Sequence, residues 1–93
     1  MDITVSVTLV GPGPQDFRVN IFQDAPEWQT VGRSLADLGA HEVLHILQSL
    51  GMPEAESEQL LEETQRAQFV TRRRRLRLTL DQQRYADQNF PPL

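Results

Sequence analysis

Hydrophobic and polar residues alternate over the first nine positions of the chain. Ile3, Val5, Val7 and Leu9 are separated by Thr4, Ser6 and Thr8. This period of two, rich in β-branched residues, predicts a strand with one buried face. Gly11-Pro12-Gly13-Pro14 breaks the run, because Pro fixes φ and removes a donor while Gly admits positive φ. Alternation resumes with Phe17, Val19 and Ile21 against Arg18 and Asn20, so the first two strands are expected to form an antiparallel hairpin. The pattern lapses from Gln23 to Arg33. Asp24-Ala25-Pro26 signals a turn there, Trp28 is expected to lie as a lid over one end of the core, and Glu27 to Val31 leaves room for a short extra strand.

The period then changes to that of a helix. Ser34, with Asp37 three residues later, has the form of an imperfect capping box and is expected to open a helix. Leu35, Ala36, Ala40, Val43, Leu44, Ile46, Leu47 and Leu50 then share one broad face. Gly51 stands where a left-handed C-cap belongs, and Pro53 suits the first turn of a second helix running from about Pro53 to Phe69. That helix has a narrow apolar stripe of Leu60, Leu61 and Ala67, with Ser57 and Thr64 between, and is expected to lie half exposed. Leu76, Leu78 and Leu80 alternate with Arg75, Arg77 and Thr79 and predict a third main strand. Inward parity carried backwards would bury Arg74 and Arg72. Unpaired buried charge is costly, so pairing is expected to begin near Arg74 or Arg75.

Together these elements predict an α+β fold: a small, mainly antiparallel sheet in the order β-β-α-α-β, with a two-helix hairpin packed on one face. Residues 1–80 are expected to form a single domain. Residues 81–93 read as a polar, Gln-rich tail, mobile or docked on a partner, with room for a short helix around Gln82 to Ala86. Tyr85 and Phe90 would anchor that tail either to a partner groove or to its own domain.

A length of 93 residues suits one domain. The absence of Cys removes disulfides and Cys-ligated metals and fits a reducing compartment. No apolar run approaches the roughly 18 residues of a membrane span, and Met1-Asp2-Ile3-Thr4-Val5 lacks a signal-peptide pattern. A cytoplasmic location without a membrane partner is the default expectation.

The net charge of −4 conceals an asymmetry. Residues 1–71 carry three Arg against eleven acidic residues (−8), whereas residues 72–93 carry six Arg against two Asp (+4). Every basic residue is Arg, the side chain suited to bidentate pairing with carboxylate or phosphate. GC-rich codon usage would give the same bias.

One segment has a specific chemical reading, and a second is unusual in its charge. His41-Glu42-Val43-Leu44-His45 places two His one helical turn apart with a Glu beside them, an arrangement able to hold Zn²⁺ and activate a bound water. With Gly39 and Ala40 before it and Ile46 and Leu47 after it, the segment resembles the active helix of the zincin metallopeptidases. The resemblance covers this stretch alone. It implies His41 and His45 as zinc ligands and Glu42 as general base. The third ligand would have to be a carboxylate, and a tight turn at Gly51-Met52-Pro53 would bring Glu62 or Glu63 level with His41, with Glu63 the candidate. On the helical wheel, however, the two His point almost opposite to the apolar face. Helices packed through their apolar faces would turn the pair away from Glu63, and the plain reading is two solvated His with no cofactor.

The second segment is Arg72-Arg73-Arg74-Arg75-Leu76-Arg77. On a strand, Arg73, Arg75 and Arg77 form an outward row able to bind an acidic protein partner or the phosphates of a nucleic acid. No aromatic residues interleave with them to stack on bases, and the remainder of the chain is acidic. The same row would also keep an edge strand solvated and unaggregated. The leading expectation is a small non-enzymatic interaction or regulatory module, self-associating as a homodimer through the edge of the hairpin or binding another protein. A minimal zinc peptidase and an Arg-mediated nucleic-acid contact are the alternatives.

Overall fold

The computed structural model describes residues 1–23 and 32–91. The expected turn at Asp24-Ala25-Pro26, the strand around Glu27 to Val31 and the Trp28 lid lie outside the described residues. The chain runs β1 (Asp2–Leu9), β2 (Phe17–Gln23), β3 (Arg33–Leu38), α1 (Ala40–Ser49), α2 (Glu54–Arg66), β4 (Arg72–Arg77) and α3 (Leu80–Asn89). The strands form one antiparallel sheet in the order β3-β2-β1-β4. The class is α+β, with the two helices α1 and α2 adjacent.

Period-two patterning sets the register. Val5 faces Ile21, Val7 faces Val19 and Leu9 faces Phe17 across the β1–β2 hairpin. Ile3, Val5, Val7, Val19 and Ile21 are wholly buried on the face that the helices cover. Val43, Ile46 and Leu47 of α1 and Ser57, Leu60, Leu61 and Thr64 of α2 complete that core. The buried hydroxyls of Ser57 and Thr64 donate to the carbonyls of Pro53 (3.0 Å) and Leu60 (2.8 Å), so neither is left unsatisfied. Gly51 adopts φ +97 between the helices, the left-handed turn that its position predicts.

The structure corrects the start of the first helix. Ser34 is not its cap, and Leu35 and Ala36 are not on its face, because Arg33–Leu38 pairs with β2 as strand β3. Ser34 Oγ donates to Asn20 Oδ1 of the neighbouring strand at 2.6 Å. Asp37 has φ 57 at the irregularity between Phe17 and Val19. A short polar side chain tolerates that conformation, and the bulge bends the chain into α1. The helix starts at Ala40, where Gly39 N–H donates to Glu42 Oε1 at 3.1 Å.

β3 also changes the sheet's edges. Both strands of the hairpin are interior, so self-association through a hairpin edge has no edge to use. The outer side of β3 is itself engaged, with Ser34 N–H donating to Pro91 O at 3.0 Å. That contact is made by the end of the chain, which packs on its own domain. Thr79 caps α3, exchanging hydrogen bonds with Gln82 in both directions. Ala86 and Phe90 enter the common core at 0 % and 1 % exposure. Arg33 donates to Phe90 O at 3.2 Å and pairs with Asp87 at 3.4 Å.

β4 begins earlier than parity and charge suggest. It pairs with β1 from Arg72, opposite Val7. Arg74 therefore does lie on the helix side, opposite Val5, where Glu63 of α2 meets it at 2.6 Å. The expected cost of inward charge is met by an ion pair at the partly exposed margin of the core.

Candidate functional site

α1 projects His41, Glu42 and His45 outward, all exposed. They border a groove of about 460 Å³ between α1, β3 and α3, floored by Leu35, Leu38 and Ile46 and closed by Tyr85 and Asn89. Two of its polar groups are engaged within the chain: Glu42 on the Gly39 N–H at 3.1 Å, and Asn89 Nδ2 on Tyr85 O at 2.8 Å. Glu63 does not join them. It lies on α2 and is paired with Arg74. Among the described residues, no group of three or more His, Cys, Asp and Glu side chains is placed to hold a metal ion. The structure thus brings together His41, His45 and Glu42, as their helical spacing requires, but not the third ligand.

The arginine strip forms the other candidate site. Arg73, Arg75 and Arg77 are exposed and lie on the face of the sheet away from the helices, opposite Ser6, Thr4 and Asp2 of β1. Arg18 of β2, opposite Thr8, belongs to the same face. The outward positions of β1, β2 and β4 thus carry four Arg and one Asp, and Arg77 meets that Asp2 at 3.4 Å. The acidic residues are concentrated on the other side: Glu42, Glu54, Glu58, Glu62, Asp81 and Asp87 are exposed on the three helices. The domain is electrostatically two-sided, a basic sheet against an acidic helix layer.

β4 also supplies main-chain groups. Met1 and Leu78 bond reciprocally, with Leu78 N–H donating to Met1 O at 2.7 Å and the Met1 ammonium donating to Leu78 O at 3.2 Å. Antiparallel alternation from that pair turns the N–H and C=O groups of Leu76, Arg74 and Arg72 towards β1 and those of Arg73, Arg75 and Arg77 towards the outer edge. Among the described residues, no strand pairs with that edge.

Sequence patterning missed an apolar patch at the start of the same edge. Phe69, Val70 and Val10 are 67 %, 49 % and 43 % exposed. Phe69 was expected to end the second helix, but α2 stops at Arg66 and Phe69 takes φ 69. The available signal was Gln68-Phe69-Val70, where the helical apolar stripe had already ended at Ala67 and no Gly followed to make the turn.

Compared with protein-family models, curated proteins and solved structures, the chain matches none. Function must therefore be argued from its own geometry.

Proposed function

We propose that the protein is a non-enzymatic interaction module that takes an extended, acidic segment of a partner protein as an added strand along β4. The observation that carries this reading is an outer edge whose side chains are Arg73, Arg75 and Arg77 on one face. A peptide strand would pair with the outward N–H and C=O groups in alternation, displacing Arg74 Nη1 from the Arg73 carbonyl, to which it donates at 2.8 Å. The peptide's acidic side chains, two residues apart, would meet the arginine row. A nucleic acid could use the arginines but has no repeating backbone N–H groups to pair with the edge carbonyls in ladder register. Among the described residues the aromatic on that face is Phe22, which lies on β2 against Gly32, beyond β1 from the β4 arginines, and offers no stacking platform among those. A second copy paired edge to edge would set one arginine row against another, which like-charge repulsion opposes.

The test is fluorescence anisotropy with a short labelled peptide bearing Glu at alternate positions and Thr or Val between them. Binding should weaken with added salt and by about tenfold in Arg73→Glu or Arg75→Glu. A peptide of equal charge with Pro at the pairing positions should lose binding, because Pro cannot donate to a ladder. Equal binding of the Pro peptide, or tighter binding of a single-stranded oligonucleotide, would overturn the reading.

A further inference from the structure

Phe69 combines two features that an ordinary surface residue does not. Its backbone is in the left-handed region, with φ 69, where a side chain beyond Gly, Asn or Asp is disfavoured. The residue is 67 % exposed, so burial does not compensate for that conformation. A Gly at the same place would make the turn without strain. An aromatic held there points to a use for the ring outside the fold.

The neighbourhood gives that use a direction. Phe69 N–H donates to Leu9 O at 2.9 Å, and the hydroxyls of Thr8 and Thr71 meet at 2.9 Å. These bonds extend the β1–β4 pairing past Arg72 and fix Phe69 and Val70 beside Leu9 and Val10. The exposed apolar residues Val10, Phe69 and Val70 thus lie at the N-terminal end of β4, in line with the arginine edge.

We infer that Phe69, Val70 and Val10 form an anchor site for a bulky apolar side chain of the strand that docks on β4. This rests on the reading of β4 as a strand-accepting edge and specifies the partner further. Every pair in the sheet is antiparallel, and a strand added antiparallel to β4 ends its C-terminal side at Phe69. The partner segment therefore carries alternating acidic residues followed, on their C-terminal side, by an aromatic or large aliphatic residue.

Three synthetic peptides test this on the full chain: the alternating-Glu peptide alone, the same peptide with a C-terminal Phe after a short spacer, and one with the Phe at its N-terminus. The C-terminal Phe should tighten binding about tenfold, the scale of one buried aromatic anchor, while the N-terminal Phe should add nothing. Phe69→Gly and Phe69→Ser should both abolish that gain and leave the affinity of the plain acidic peptide unchanged. Arg75→Glu should weaken all three peptides while keeping the gain. If the Arg variants weaken binding but the Phe adds nothing, or adds as much in the Phe69 variants, the anchor is wrong and the β4 reading stands. If none of the peptides binds, both fall. A concentration-dependent dimer dissolved by Phe69→Ser would assign the patch to a second copy and overturn the inference.

Discussion

Arg74 of β4 and Glu63 of α2 meet at 2.6 Å across the gap between sheet and helix layer. The contact explains both how an arginine occupies an inward strand position and why Glu63 is not directed to the His pair. Glu63→Gln should lower stability by up to about 1 kcal/mol, since both side chains are roughly a third exposed. In a domain of this size that is a fall of roughly 4–8 °C in Tm. A double-mutant cycle with Arg74→Met checks that the loss is shared. Additive losses would show that the pair contributes nothing as a pair.

The separation of Glu63 from His41 and His45 also bears on zinc. Among the described residues the His pair has no third protein ligand, and two donors fall short of the set that catalytic or structural zinc takes. Protein prepared without a His-tag should contain well under one zinc per chain by metal analysis, and His41→Ala should not change that content. Stoichiometric zinc lost in His41→Ala and in His45→Ala would restore the peptidase reading.

Glu42, beside those histidines, accepts from the Gly39 N–H at the start of α1. Gly39 has no side chain with which to cap the helix, so Glu42 supplies the carboxylate at the positive end of the dipole. Glu42→Ala should cost about 0.5–1 kcal/mol in thermal or urea unfolding, and Glu42→Gln should recover part of it. A neutral Glu42→Ala would free this carboxylate from its structural role.

Legibility in the sequence followed the strength of each local signal. Val5, Val7, Val19 and Ile21 alternate without interruption, and their strands appear as expected. Val43, Ile46, Leu47 and Leu50, with Gly51 behind them, likewise define α1 and its turn. β3 was obscured because Ser34 and Asp37 imitate a capping box. Ser34 instead bonds across to Asn20, and Asp37 makes the bulge that a short polar side chain tolerates. The start of β4 was misplaced because the neutralising partner of Arg74 lies on another element. The arginine row was readable from parity alone, and an edge strand was among its readings. That β4 joins β1 was not, because it follows from β3 taking the other side of the hairpin. Thr79 and Gln82 did spell a capping box for α3, a signal masked by the polar composition around it.

Phe90 gives the clearest test of how the chain's end contributes to the fold. It is 1 % exposed, and its carbonyl accepts from Arg33 while the next residue's carbonyl accepts from Ser34 N–H. Phe90→Ala should destabilise the domain by about 3–5 kcal/mol, a large share of the stability of a small domain. It should also expose the Ser34 amide to rapid hydrogen exchange. Slow exchange at Ser34 in this variant, with stability intact, would mean that β3 is held without the tail.

Phe69 makes the opposite prediction, and it separates a strained functional residue from a buried structural one. Moving an ordinary residue to Gly destabilises a protein by widening the unfolded ensemble, by roughly 0.5–1 kcal/mol. At Phe69 that loss is offset by relief of the left-handed backbone, worth about 1–2 kcal/mol, and the exposed ring leaves little packing to lose. Phe69→Gly should therefore unfold at the same temperature as the parent chain or higher, and Phe69→Asn should behave similarly, because Asn also tolerates positive φ. Phe69→Val should be the least stable of the three, since a β-branched side chain suits that conformation worst. Thermal unfolding by circular dichroism ranks the series. A Phe69→Gly variant less stable than the parent by more than about 1 kcal/mol would show that the ring packs on the domain, and the exposed anchor would lose its physical basis.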